Sequence, residues 1–128
     1  VATRSLIGIQ LNNEVTKIIF CHYDGYPSGV GQMLVNNYNT SEIVDELIEL
    51  GDLSALGETL DSCVAYHRDR NEPWGMVEPR EIELNQYCEV MNDYNAEYIY
   101  VHSDTFRFTG WECFDNKGNQ VEILADEA

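Results

Sequence analysis

The sequence predicts an α+β domain: a largely antiparallel sheet, built from an N-terminal hairpin and C-terminal strands, with two to three helices packed on one face. Three observations carry this. Runs of β-branched and aromatic residues lie near both ends of the chain, apolar residues at helical spacing fill the middle, and 128 residues are enough for one core. A chain of this size buries roughly two-thirds of its unfolded surface, so residues 1–128 read as a single domain. The composition, 44% hydrophobic and 11% aromatic with 3 prolines, is far from that of a disordered chain.

The elements follow in order. Arg4 to Leu11 carries Leu6, Ile7, Ile9 and Leu11; Asn12-Asn13 supplies a turn; and Val15 to Tyr23 resumes a β run, making an opening hairpin. Asp24-Gly25-Tyr26-Pro27-Ser28-Gly29 is dense in turn residues, and Val30, Met33, Leu34 and Tyr38 then fall at helical spacing. Asn39, three residues before Glu42, fits a cap for a second helix whose stripe of Ile43, Val44, Leu47 and Ile48 ends at Gly51. Asp52 to Gly57 reads as a turn, Cys63 to Tyr66 as a short buried segment, and Asn71 to Pro79 as a loop. From Glu81, the spacing of Leu84, Tyr87, Cys88 and Met91 predicts a helix, although Ile82 and Leu84 also allow a strand start. Glu97 to His102 alternates as a strand, and Trp111 to Phe114 pairs with Val121 to Leu124 across a polar, glycine-containing loop.

Charge excludes whole classes of partner. With 23 acids against 7 bases the formal net charge is -16, so the surface repels DNA, RNA and anionic membrane, and direct nucleic-acid binding is not expected. Two readings remain: solvation alone, or imitation of a polyanion in a basic groove. A mimic should concentrate its acids on one face, and here they are spread along the chain, from Glu42, Asp45, Glu46 and Glu49 to Glu122, Asp126 and Glu127, which favours solvation. No stretch approaches the roughly 18 apolar residues of a membrane span, and Val1 to Gln10 lacks the pattern of a secretory signal. Cys21, Cys63, Cys88 and Cys113 have no C-x-x-C or zinc-type spacing and sit beside apolar or aromatic residues, as buried free thiols in a reducing cytoplasm do.

Two segments are candidates for a ligand site. The strand-to-helix junction holds His22, Asp24, Tyr26 and Ser28, where backbone N–H groups at a helix start can face an anion. The second segment, Tyr66, His67, Arg68 and Arg70, places 2 of the 7 bases beside a tyrosine in an otherwise acidic chain. Guanidinium groups grip phosphate or carboxylate bidentately and tyrosine stacks on bases, so the two segments are expected to wall a pocket for a small anion. The alternatives are that the first segment only makes turns and that the arginines pair with Asp69 and Glu72. No catalytic, cofactor or metal motif occurs around His22, His67 and His102, and a histidine-dependent phosphoesterase requires those three to converge in space. Trp74 and Trp111 read as core or lid aromatics, and the 8 tyrosines suit core and cleft alike.

The segments Thr3 to Ile9, Cys21 to Gly31, Leu47 to Gly57 and Ala65 to Arg70 together resemble a family of small, uncharacterised accessory proteins of tailed bacteriophages. The resemblance reaches to Arg70, with some aromatic positions of the tail. It implies a phage protein made in the cytoplasm of an infected bacterium, for counter-defence or host takeover. Three function classes follow: a non-catalytic protein that captures a small anionic ligand such as a signalling nucleotide, an acidic inhibitor that docks on a basic host protein, and a small phosphoesterase. Aromatic-rich edge strands leave a homodimer open.

Overall fold

The computed structural model describes residues 2–123. β1 (Arg4–Gln10) and β2 (Val15–Cys21) form the expected hairpin, with Ile7 opposite Ile19. Asn12 closes it, its side-chain oxygen accepting from the N–H groups of Glu14 at 2.8 Å and Val15 at 2.9 Å. The other edge of β1 pairs in parallel with β6 (Ala96–Asp104), which continues antiparallel to β7 (Thr109–Asp115) and then β8 (Gln120–Val121). The outer edge of β2 meets two neighbours in succession. β5 (Arg80–Glu83) runs antiparallel along Val15 to Ile18, and β3 (Leu53–Ala55) joins in parallel at Cys21, with β4 (Val64–Ala65) beyond it. The result is an α+β fold on an eight-stranded, largely antiparallel sheet of order β4-β3-β2-β1-β6-β7-β8, with β5 beside β2.

The helices lie on both faces of that sheet, not on one. Neighbouring residues of a strand point to opposite faces, and here both members of the pairs Leu6-Ile7, Ile18-Ile19 and Ile99-Tyr100 are apolar and fully buried. Both faces therefore need a cover. Ile7, Ile19, Cys21 and Tyr100 pack with Leu34 of α1 (Gln32–Asn37) and with Val44, Leu47 and Ile48 of α2 (Ser41–Ile48). Leu6, Ile18, Ile99 and Val101 pack with Tyr87 and Met91 of α5 (Tyr87–Tyr94). Each buried leucine or isoleucine contributes about 1.5–3 kcal/mol, so neither layer is dispensable.

Several boundaries differ from the sequence expectation. Thr40, not Asn39, caps α2, its hydroxyl accepting from the Ile43 N–H at 3.3 Å. Gly51 ends the segment with φ 79°, where a Cβ would stand 2.6 Å from the Val77 carbonyl. The expected turn after it contains β3, because Leu53 is drawn into the core beside Cys21. The expected loop of residues 71–79 contains the single-turn α4 (Trp74–Val77), which buries Val77, and the short α3 (Tyr66–Arg70) precedes it. After Pro79 the strand start prevails over the helix: Ile82 of β5 packs with Ile18, and a 3₁₀ turn at Leu84–Gln86 leads into α5. The last strand keeps Gln120 and Val121, and Leu124 lies outside the described residues. The outer strands of the sheet are the short β4, β5 and β8, whereas the aromatic β6 lies inside it.

All four cysteines are free; Cys21, Cys63 and Cys113 are buried and Cys88 is half-buried. Burial pushes the thiols of Cys21 and Cys113 up to about 12.

Candidate functional site

Past the end of β2 the chain stays beside β3, with the N–H groups of His22 and Tyr23 donating to the Leu53 and Ser54 carbonyls at 3.1 Å each. Asp24 then turns it through a left-handed conformation, φ 59°, which aspartate tolerates better than most residues. Gly25 lies against β1: its N–H donates to the Thr3 carbonyl at 2.9 Å, and a Cβ would stand 2.8 Å from that of Ser5. A π-helical turn, Pro27–Gly31, runs straight into α1. Within this loop the Gly29 N–H donates to the Tyr26 carbonyl at 2.9 Å and the Val30 N–H to the Asp24 carbonyl at 2.8 Å. Two of the donors the sequence offered to an anion are thus used by the loop itself.

Asp24, Tyr26 and Ser28 line a cleft of about 280 Å³, joined by Tyr23, Met33, Leu56 and Glu58. Tyr23 and Tyr26 remain 49% and 41% exposed. The Tyr26 hydroxyl donates to Asp24 at 3.2 Å, and the carboxylate beside it raises the phenol's pKa. The wall bearing Leu56 and Glu58 is held at Gly57, whose carbonyl accepts from the Tyr38 hydroxyl at 2.7 Å and whose N–H donates to the Cys63 sulfur at 3.3 Å. Among the described residues the charged groups lining the cleft are the carboxylates of Asp24 and Glu58, with no base beside them.

The second segment forms α3 and does not line this cleft. Arg68 is a structural fastener. It donates to the Leu60 carbonyl at 3.0 Å, to the Cys63 carbonyl at 2.7 Å and to Asp69 at 3.0 Å. Its guanidinium holds the Asp69 carboxyl below the usual carboxylate range. Arg70 lies over the Tyr66 ring, 5.5 Å from its centre. His67 donates from Nδ1 to the Glu72 carbonyl at 2.8 Å and meets Trp74 edge-on.

His22 also stands outside the cleft lining, edge-on to Tyr23 at 4.4 Å and to Phe20 at 6.0 Å. His102 is 1% exposed against Trp111, with no hydrogen-bond partner among the described residues on either ring nitrogen, and burial lowers its pKa. Each histidine thus packs on different aromatic rings. Trp111 anchors the core edge by donating to the Tyr38 carbonyl at 2.8 Å.

Sequence reasoning missed Glu58 and Leu56, which flank the Gly57 that Tyr38 and Cys63 hold in place. Tyr23 had a signal, its place between His22 and Asp24. Among the described residues no three His, Cys, Asp or Glu side chains gather as a metal ion requires. No helix among them is long and apolar enough to cross a membrane. Comparison of the chain with protein-family models, curated proteins and solved structures gave no match.

Proposed function

We propose that this is a non-catalytic binding protein that docks an acidic side on a basic protein surface, of the kind that holds nucleic acid. The placement of the acids carries this reading. Glu42, Asp45 and Glu46 face solvent from α2, and Glu58 and Asp61 share a shallow hollow with Ile43 of that helix. Glu58 also lines the cleft with Asp24, so carboxylates distant in sequence border two adjoining hollows. Three bases are held in ion pairs, Lys17 with Glu49 at 2.5 Å, Arg68 with Asp69 at 3.0 Å and Arg80 with Asp52 at 3.2 Å, which leaves the acids in large excess. An uncompensated negative field of this kind speeds encounter with a positive partner and makes the association salt-dependent. On the phage resemblance, the partner would be a host protein in the infected cell.

The test is calorimetric titration with a polyarginine peptide at two salt concentrations. Glu42→Gln, Glu46→Gln and Glu58→Gln together are expected to weaken binding about tenfold, the effect of losing roughly 1.4 kcal/mol. The matched control, Glu89→Gln, Asp93→Asn and Glu112→Gln, neutralises the α5 face, where Glu112 lies opposite Val101. Equal losses in the two variants would overturn the reading and leave the charge as a matter of solubility.

Capture of a small anion retains one supporting observation, the guanidinium of Arg70 stacked on Tyr66. A thermal-shift screen with cyclic dinucleotides and trinucleotides tests it, since binding to the folded state at a hundredfold excess over Kd adds about 2.7 kcal/mol of stability. Arg70→Ala is the informative variant; removing Arg68 as well releases the Leu60 and Cys63 carbonyls and confuses folding with binding.

A further inference from the structure

We infer that the cleft at the strand-to-helix junction is a pocket for a guanidinium group, an arginine side chain presented by the basic partner. The inference rests on the docking reading above and assigns that surface its anchor point. Size is the first argument. At about 280 Å³ the cleft falls just below the ~300–1,000 Å³ of small-molecule sites, which suits one long side chain better than a dinucleotide.

Chemistry is the second argument. Tyr23 and Tyr26 offer half-exposed aromatic surfaces, Asp24 and Glu58 offer carboxylates, and Met33 and Leu56 supply apolar surface for a methylene stem. A planar cation with five N–H donors uses all three features at once: it stacks on a ring, bonds carboxylate oxygens, and lays its stem on apolar atoms. Among the described residues an anion would meet two carboxylates and no base. The protein already stacks its own arginines in this way, Arg70 over Tyr66 at 5.5 Å and Arg80 over Tyr94 at 5.1 Å.

Rigidity is the third argument. Asp24 is tied down through its carbonyl by the Val30 N–H at 2.8 Å. The neighbouring Gly25 is clamped by Thr3 at 2.9 Å and by the Tyr100 hydroxyl at 2.6 Å. A site fixed before binding loses little entropy when a side chain enters.

The experiment is a ¹H–¹⁵N NMR titration of the whole chain with N-acetyl-arginine amide, its neutral isostere N-acetyl-citrulline amide, and N-acetyl-lysine amide. The arginine probe is expected to shift the amides of Tyr23, Asp24, Ser28 and Glu58 saturably, the lysine probe to bind several-fold more weakly, and the citrulline probe to leave them in place. Tyr23→Ala with Glu58→Gln, both exposed positions, should lower arginine affinity about tenfold while the remaining spectrum stays dispersed. Equal shifts with citrulline or lysine overturn the guanidinium assignment. Silence at the cleft while polyarginine still binds the α2 side overturns the pocket and leaves the docking surface standing. Saturable cleft shifts without polyarginine binding overturn the docking surface instead.

Discussion

The hydroxyl of Tyr100, in the middle of β6, donates to the carbonyl of Gly25 at 2.6 Å, so the interior of the sheet holds the loop that shapes the cleft. Tyr100 is fully buried, and burial drives its phenol pKa far upward, which keeps it a donor at every working pH. Tyr100→Phe leaves a buried carbonyl without its partner. The expected loss is about 1–3 kcal/mol in urea unfolding, with weaker arginine-amide binding. An unchanged midpoint would show that the loop does not depend on this bond.

Asp52 fills the break between β5 and β3 along the edge of β2. Its carboxylate accepts from the Phe20 N–H at 2.8 Å and from both terminal nitrogens of Arg80 at 3.2 Å. Asp52→Ala orphans the Phe20 backbone donor and removes the ion pair of Arg80, and about 2–3 kcal/mol of stability should disappear. Asp52→Asn keeps an acceptor for Phe20 and should lose less; denaturant midpoints of the two variants decide between hydrogen bonding and charge as the larger contribution.

His102 makes stability pH-dependent. Its folded pKa lies below that of the unfolded chain because burial disfavours the cation, an effect that Asp104 opposes. As pH falls below the ordinary histidine value, near 6.5, the unfolded state takes up a proton that the folded state refuses. Stability is therefore full above that value and declines below it, by up to about 1.4 kcal/mol for each pH unit of depression. His102→Leu should remove that part of the decline. Thermal unfolding of both proteins at pH 7.5 and 5.5 measures the difference, and parallel behaviour would rule the histidine out as its source.

Cysteine reactivity should follow burial. Cys21 and Cys113 are buried thiols raised to about 12, Cys63 is buried beside Tyr38, and Cys88 is half-open next to Gly118. Iodoacetamide at neutral pH should label Cys88 first, at least about tenfold faster than the other three, with the remainder reacting on unfolding. Peptide mass spectrometry reads the order directly.

Much of the fold was open to reading from local pattern. The opening hairpin, the apolar stripe of α2 and the alternation of β6 each have a period that backbone geometry imposes whatever the surroundings, and the turn at Asn12 announces itself by residue type. Four short elements escaped. β3, β4, α3 and α4 have 3, 2, 5 and 4 residues, too few for a period to show, and β3, β4 and α4 exist because Leu53, Ala65 and Val77 find burial against distant partners. The covering of both sheet faces was written in the consecutive apolar pairs Leu6-Ile7 and Ile18-Ile19, a pattern that allows a doubly covered sheet without requiring it.

The candidate site divides along the same line. By itself the sequence determined the dense loop from His22 to Gly29, the reversal of charge at Arg68 and Arg70, and the acidity of the whole, because residue type and neighbourhood are local properties. The tertiary structure decided how they combine. It brought Glu58 to Asp24, set Arg68 to binding the chain's own carbonyls, stacked Arg70 on Tyr66, and separated the histidines among different aromatic rings. Such pairings depend on which backbone groups are left without partners when strands and loops meet. Those meetings join residues tens of positions apart, as Asp24 and Glu58 come to line one cleft, and no local pattern records them.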